Sequence, residues 1–209
     1  MCAINNTPKK IIHFNEHGIN QHTYSANMGL SKTANFAFTA FKNEGCRYAI
    51  FLDQDTVVEM SLLETYIDRV IEFLQKNPNF VCCSIVNDNT IPFHSFDSVK
   101  RIRNSGTVFN LNNFISAKGF NENYFVDMMD YEFSIRASHL GYFFAKYNVD
   151  NGFDHESEQG NRHVNIFGKR IRVRKYPLQR VFNILSGIFS LTFKSLKSNN
   201  WSMAFHLIT

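Results

Sequence analysis

The chain has 209 residues, which is enough for one α/β domain with its own core. Twenty-two Lys and Arg against 18 Asp and Glu leave a net charge of +4, so overall charge favours no particular partner. The four cysteines form no Cys-x-x-Cys pair, which predicts free thiols in a reducing compartment and excludes a disulfide-built fold. No signal peptide or apolar run of membrane-spanning length is visible, so we expect a cytoplasmic protein.

The N-terminal part predicts two fragments of strand before the first helix. Residues 1–8 indicate the end of a strand and a turn, and Gln21 to Ser25 indicate a second short strand. Because a domain seldom begins with the end of a strand, we expect that further chain normally precedes it. A helix is predicted from Thr33 to Lys42, with Ser31 as its N-cap and Gly45 just after its end.

A buried strand is predicted from Arg47 to Leu52, and two carboxylates follow it directly. Short apolar strands of this kind are typical of parallel sheets, where ligands bind outside the carboxyl ends of the strands. Asp53 and Asp55 are two positions apart, so they point the same way in an extended chain. Convergent carboxylates repel unless a cation lies between them, which predicts a divalent metal and a phosphate-bearing substrate. Solvated carboxylates at a turn are the alternative.

The middle of the chain predicts more of the sheet and its helices. A second helix, with Ser61 as the expected N-cap, carries an apolar stripe up to Asn77-Pro78. Phe80 to Val86 predicts a strand, and residues 87–103 predict a polar loop. A strand from Thr107 to Phe109 then leads into a short helix.

Three carboxylates, Asp127, Asp130 and Glu132, lie at the predicted start of a helix that ends at Gly141. Acidic residues are favoured at this end of a helix by its dipole, whatever their function. Two neighbouring methionines would also raise the pKa of a carboxyl here, as a general base requires. Both interpretations remain open from the residues alone.

The last part of the chain predicts a strand from Tyr142 to Tyr147, a loop over residues 148–172, and a long helix. His155 lies in the loop, where it is either simply exposed or a further ligand of the carboxylate metal site. The helix, from Tyr176 to Lys197, is amphipathic and either packs on the domain or lies on a membrane surface.

A basic cluster precedes and enters this helix. It either forms a solvated face or binds a diphosphate or anionic lipid headgroups. It lacks interleaved aromatic residues, so we do not expect nucleic acid as a partner. The cluster comprises Arg162, Lys169, Arg170, Arg172, Arg174, Lys175 and Arg180.

The order and spacing of several segments resemble the inverting family-2 glycosyltransferases of GT-A fold, specifically the rhamnosyltransferase branch. The resemblance covers roughly residues 20–183. The segments that carry it are Tyr24 to Ser31 with Ala34-Asn35, Leu52-Asp53-Gln54-Asp55-Thr56, Asn104-Ser105-Gly106, Gly119-Phe120-Asn121-Glu122 with Phe125 to Arg136, and Arg174-Lys175-Tyr176 with Arg180.

The resemblance implies a mixed, mainly parallel sheet flanked by helices, without the family's first strand and helix. It divides the chain into an incomplete GT-A-like domain, residues 1–173, and a helical tail, residues 174–209, which either packs on the domain or associates with a membrane. Peripheral contact with the inner face of the cell membrane is expected through that tail.

Carried over residue by residue, the resemblance also implies roles for individual side chains. Asp130 matches the catalytic base, while Asp55 and His155 match the positions that hold a divalent cation, Mg²⁺ or Mn²⁺. The residues implied to bind the donor are Asn27, Gly29, Lys32, Asp53, Asp55 and Arg180. Those implied at the acceptor side are Ser105, Gly106 and Asp127.

The implied reaction transfers a sugar, L-rhamnose from dTDP-rhamnose, to a polysaccharide or lipid-linked acceptor. The implied context is bacterial surface glycan synthesis, such as O-antigen or capsule. Two alternatives stay open: a truncated remnant with impaired activity, and a phosphohydrolase of haloacid-dehalogenase type. In the phosphohydrolase, Asp53 would be the nucleophile and Asp55 the acid/base.

Overall fold

The computed structural model describes residues 2–6, 20–53, 56–87, 92–149, 154–155, 162–166, 169–173 and 178–197. Asp55 of the predicted metal site lies outside these ranges, as do Arg174 and Lys175 of the basic cluster. For His155 the backbone is described and the side chain is not.

The N-terminal fragments are strands, as predicted. β1 (Cys2–Asn5) and β2 (Asn20–Thr23) form a parallel pair, and α1 (Leu30–Asn43) follows them. The N-cap of α1 is Gly29, so the prediction of Ser31 was wrong. Ser31 lies two residues past the cap, inside the first turn, and its hydroxyl donates instead to the carbonyl oxygen of Tyr124.

Short connections lead from α1 into the centre of the molecule. β3 (Tyr48–Phe51), β4 (Thr56–Val57) and α2 (Met60–Lys76) come next. The N-cap of α2 is Glu59 rather than the predicted Ser61, whose hydroxyl donates to Glu59 Oε1 at 2.5 Å. Both capping predictions therefore placed the first helical residue too late.

A mixed five-stranded sheet forms the centre of the molecule. Its other strands are β5 (Phe80–Val86), β6 (Phe96–Val99), β7 (Thr107–Asn110) and β8 (Phe143–Asn148). The strand order is β3-β7-β5-β8-β6. β3, β5 and β8 run one way and β7 and β6 the other, so the pair β5–β8 is parallel and the remaining three pairs are antiparallel.

The strand β6 lies inside the segment that was predicted to be a polar loop, so that prediction was wrong there. Asp97 and Ser98 are exposed, and β6 is an edge strand that pairs with β8 on one side. An edge strand needs little apolar sequence because much of it faces solvent, which explains why the polar composition was misleading.

Helices cover both faces of the sheet. α1, α3 (Leu111–Ser116) and α4 (Met129–His139) pack on one face, and α2 packs on the other. Alternation along β5 sends Cys82 to the first face and Cys83 to the second. Both are buried free thiols, as predicted, and burial raises the pKa of each. The first core is built largely from phenylalanine rings, with Phe38, Phe109, Phe114, Phe120 and Phe133 in mutual contact.

The C-terminal part contains more regular structure than the sequence indicated. Residues 148–172, predicted to be a loop, include β9 (Asp154–His155) and the antiparallel hairpin of β10 (Arg162–Ile166) and β11 (Lys169–Val173). Alternating apolar residues in both hairpin strands were a usable signal, which the basic residues between them obscured. α5 (Leu178–Lys197) is the predicted long helix. Among the described helices, none is long and apolar enough to cross a membrane.

Candidate functional site

The carboxyl end of β3 is held by the turn that begins β7. The backbone N–H of Asp53 donates to Ser105 Oγ at 3.2 Å, and the Gly106 N–H donates to the Phe51 carbonyl oxygen at 2.8 Å. The hydroxyls of Thr56 and Ser105 lie 2.6 Å apart. The predicted donor residue Asp53 therefore lies against the predicted acceptor residues Ser105 and Gly106, because β3 and β7 are antiparallel neighbours.

One predicted metal ligand, His155, lies in a short strand that pairs with the strand beginning just after Asp55, the other predicted ligand, in sequence. In the antiparallel pair β4–β9, Thr56 is opposite His155 and Val57 is opposite Asp154. Asp55 is the residue before Thr56 in sequence, so the pairing brings the chain around His155 to the segment that carries Asp55.

The donor types present fit a divalent cation. Carboxylate oxygens suit Mg²⁺ and Mn²⁺, and an imidazole nitrogen is a common additional ligand. Within the described part of the chain, no three His, Cys, Asp or Glu side chains converge as a metal-binding group. The Asp55 carboxylate and the His155 imidazole are not among the side chains described.

Asp130 lies in the first turn of α4, half-buried, and its Oδ1 accepts a hydrogen bond of 2.9 Å from the Tyr131 backbone N–H. The pKa of Asp130 is raised from its ordinary 3.8 to about 6; burial is the main cause, and the nearby charge of Asp127 acts in the same direction. A backbone hydrogen bond and the cations Arg101 and Arg103 act in the opposite direction without cancelling the effect of burial. A carboxylate with this pKa is ionised at neutral pH and is a stronger base than an exposed one.

The segment before β7 connects Asp130 to the end of β3. Arg101 Nη1 donates to the Tyr131 hydroxyl, and its guanidinium carbon lies 4.3 Å from the centre of that ring. Four residues further on, Ser105 holds Asp53. An extended chain of four residues spans at most about 14 Å, so the backbone of Asp53 and the start of α4 contact the same short segment. Arg101 and Arg103 were not among the predicted site residues, although a cluster of basic residues in a polar segment was a visible signal.

Asp127 and Arg180 form a two-pronged ion pair. Arg180 Nε donates to Asp127 Oδ2 and Arg180 Nη2 to Asp127 Oδ1, both at 2.9 Å. The sequence placed these residues separately, one at the acceptor side and the other at the donor side. Their pairing ties the first turn of α5 to the loop before α4, so each would have to share its partner to bind a substrate group.

Glu132, the third member of the acidic cluster, has a structural partner. Its carboxylate accepts from Arg136 Nε at 2.9 Å and from Arg136 Nη2 at 3.0 Å. The same guanidinium donates to the carbonyl oxygens of Ala117 and Gly119. This group joins α4 to the end of α3, which leaves Asp130 as the candidate base of the cluster.

The other predicted donor residues surround the start of α1. Asn27 Oδ1 accepts from the Gly29 N–H at 3.0 Å, and Lys32 is exposed. Gly29 has φ +80, and a Cβ there would lie 2.7 Å from the Phe125 carbonyl oxygen. Asn27 and Gly29 thus shape a turn packed on the loop before α4. Their role in donor binding stays a prediction.

Asn35 joins α1 to the same loop. Its Nδ2 donates to the Phe120 carbonyl oxygen at 2.9 Å, and its Oδ1 accepts from the Phe120 N–H at 2.8 Å. A Cβ on Gly119 would lie 2.7 Å from that Oδ1. The quoted sequence segments around Asn35 and Gly119 therefore meet in space and hold α1 and the loop before α4 in one arrangement.

Comparison with known proteins identifies the fold. No family model matches the chain, and no curated protein matches it in sequence. The structure is similar to GalNAc-T7 with UDP, GalNAc and Mn²⁺, with a TM-score of 0.50 over 62% of this chain and 8% identity. S. aureus TarS aligns with 65% of this chain at 16% identity and a TM-score of 0.42.

The chain spans 31% of the length of GalNAc-T7 and 25% of that of TarS. The likeness to GalNAc-T7 confirms the predicted GT-A-like α/β fold. At this identity it shows the fold alone.

Proposed function

We propose that this chain acts as an inverting glycosyltransferase, which moves a sugar from a nucleoside diphosphate to a hydroxyl of a glycan or lipid-linked acceptor. The observation that carries the proposal is a half-buried carboxylate with a pKa of about 6, Asp130, at the start of a helix in a GT-A-like fold. The structural neighbour GalNAc-T7 is bound to UDP, GalNAc and Mn²⁺, which supports a nucleotide sugar as donor.

In the proposed reaction, Asp130 accepts the proton of the acceptor hydroxyl as that oxygen attacks the anomeric carbon. The attack comes from the face opposite the leaving diphosphate, so the anomeric configuration inverts in one displacement. Asp130 is suited to this step because burial makes its carboxylate basic, while the charges of Arg101 and Arg103 keep enough of it ionised near neutral pH. The hydrogen bond from the Tyr131 N–H orients the carboxylate.

Asp55 and His155 are the residues we propose to hold Mg²⁺ or Mn²⁺, with Asp53 beside them at the end of β3. When bound, the cation would neutralise charge on the leaving diphosphate. We propose that Asp53 contacts the nucleotide, and the hydrogen bond from its N–H to Ser105 supports this by fixing its backbone. Asn27, Gly29, Lys32 and Arg180 are proposed to complete donor binding.

The finer assignment rests on the sequence resemblance. We propose dTDP-L-rhamnose as the donor and a growing bacterial surface polysaccharide, such as O-antigen or capsule, as the acceptor. The phosphohydrolase alternative is not proposed further, because the fold is of the GT-A type. Thermal shift titrations with dTDP or UDP, each in the presence of Mn²⁺, test the nucleotide preference. A shift with UDP but not with dTDP would contradict the rhamnose assignment.

The decisive experiment measures nucleotide release and sugar transfer by Asp130→Asn. Loss of a general base typically slows turnover by about 10²–10⁴-fold. Because the variant keeps the oxygen that accepts from Tyr131, its nucleotide-induced thermal shift should be unchanged. Asp68→Asn, on the exposed side of α2, is the matched control and should retain full activity. Unchanged turnover in Asp130→Asn would remove Asp130 from the mechanism. No transfer and no thermal shift in the unaltered chain would favour an inactive remnant.

A further inference from the structure

α5 has two apolar faces, and one of them is used within the fold. Leu191 is 1% exposed and packs with Ile135 of α4. Gly187 lies so close to the loop before α4 that a Cβ there would be 2.9 Å from Met128 Cγ. Together with the Asp127–Arg180 ion pair, these contacts fix one side of α5 against the element that carries Asp130.

The other apolar face is exposed. Its residues follow one another at steps of three or four positions, which at 100° per residue confines them to an arc of about 80° along a helix about 30 Å long. We call these five residues the α5 stripe: Phe182 (72% exposed), Leu185 (54%), Phe189 (80%), Phe193 (71%) and Leu196 (37%). A continuous exposed stripe of this size and aromatic content is typical of an interaction surface rather than of an ordinary soluble face.

The chain around the stripe is strongly basic. No Asp or Glu follows Glu158 in the sequence, although the whole chain contains 18. The Lys and Arg residues of this part are Arg162, Lys169, Arg170, Arg172, Arg174, Lys175, Arg180, Lys194 and Lys197. Four of them belong to the β10–β11 hairpin. The hairpin ends five residues before α5 begins, a span of at most about 18 Å.

We propose that α5 lies in the surface of an anionic lipid bilayer, with the α5 stripe among the acyl chains and the basic residues other than Arg180, which pairs with Asp127, against the headgroups. A large apolar face combined with a basic surround is the pattern of helices that bind in the plane of a membrane. A second copy of the chain is the other candidate occupant. A two-fold contact would bring together two copies of this basic segment, so like charges would oppose that association.

This inference does not depend on the proposed reaction, since it concerns only the surface of α5. Membrane binding by α5 would also bear on the proposed sugar transfer. Because α5 is fixed to α4 and to Asp127, binding at the bilayer places Asp130 near the lipid surface, where the sugar end of a lipid-linked acceptor lies.

The test is co-sedimentation of the full chain with vesicles of phosphatidylcholine alone, or of phosphatidylcholine and phosphatidylglycerol in equal parts. We expect binding to the mixed vesicles, weakened as salt rises from about 0.1 M to 1 M and the screening length falls from about 10 Å to 3 Å. Replacing one inserted phenylalanine by serine, Phe189→Ser, should weaken binding about tenfold. The triple variant Phe182→Ser, Phe189→Ser and Phe193→Ser should bind more than about 100-fold more weakly.

Phe93→Ser is the matched control, since Phe93 is 48% exposed and lies outside α5. It should bind the mixed vesicles like the unaltered chain. The circular dichroism melting of Phe189→Ser should be unchanged, because that side chain contributes little to the core.

The proposal is overturned if the chain binds neither kind of vesicle, or if Phe189→Ser binds the mixed vesicles as well as the unaltered chain does. Analytical ultracentrifugation tests whether a second copy of the chain binds the stripe instead. A dimer that Phe189→Ser converts to a monomer would assign the stripe to a second copy and overturn the membrane assignment, whereas a monomer in both cases agrees with it.

Discussion

Asp130→Asn should make the protein more stable at neutral and alkaline pH. Burial raises the pKa of this carboxyl from 3.8 to about 6, so the fold favours its protonated form. If the carboxyl has a pKa of about 6 in the folded protein and 3.8 in the unfolded chain, its titration changes the free energy of unfolding by at most ~3 kcal/mol. Because the folded-state pKa is the higher one, this contribution is complete below about pH 4 and is lost as pH rises through about 6.

Asn is a suitable replacement because it has nearly the same shape and no charge. Its amide oxygen can accept the 2.9 Å hydrogen bond from the Tyr131 N–H, so the start of α4 keeps its geometry. The variant loses the attraction between the ionised carboxylate and the cations Arg101 and Arg103. This loss needs no separate correction, because the pKa of about 6 already includes that attraction. The stability difference between variant and unaltered protein should therefore grow with pH, by up to ~3 kcal/mol between about pH 4 and pH 8.

Urea denaturation, followed by circular dichroism at several pH values, measures this difference directly. Asp68→Asn removes one carboxylate from an exposed helix surface and controls for the change in net charge. A difference between Asp130→Asn and the unaltered protein that is the same at every pH would refute the argument. So would a variant that loses relative stability as pH rises. This experiment needs no substrate, so it tests the environment of Asp130 separately from its catalytic role.

Three further outcomes are expected. The transfer rate should fall as pH decreases through about 6, because protonation of Asp130 removes the base, and a rate that is flat between about pH 5 and pH 8 would contradict this. Gly29→Ala should cost several kcal/mol of unfolding free energy, since it combines positive φ with a clash. Gly45→Ala, with positive φ and open space, should cost only about 1–2 kcal/mol, and equal losses in urea denaturation would refute the clash. Arg180→Ala should cost about 1 kcal/mol, because its pair with Asp127 is partly exposed, and a double-mutant cycle with Asp127→Asn should recover that coupling.

Local sequence patterns predicted the elements whose apolar periodicity is strong. The strand Phe80–Val86 has the same bounds in the structure as in the sequence analysis, because a run that is apolar except for Ser84 and buried on both faces has few alternatives. The edge strand β6 and the β10–β11 hairpin were missed, since their backbone pairing is not accompanied by a long apolar pattern. In β6 the charged residue Asp97 is at an exposed position, as is common on an edge strand.

The candidate site was only partly predictable for a related reason. The order of motifs indicated Asp130 as the base and Asp53 as a donor residue, and the structure adds the segment that flanks both. The role of Asp127 could not be anticipated, because its partner Arg180 is 53 positions away and the pair forms only when α5 docks on α4. Similarly, the Arg101–Tyr131 contact follows from how the strands are ordered, which no local pattern encodes.

By itself, the sequence determined the fold class, the carboxylates at the end of β3 and the start of α4, and the apolar stripe of α5. These follow from side-chain chemistry and short-range periodicity, which are properties of neighbouring residues. Only the tertiary structure decided which charges neutralise each other and how far the Asp130 carboxyl is removed from water. Burial and ion pairing depend on contacts between distant segments, so the pKa of about 6 arises from packing rather than from any residue beside it in the chain.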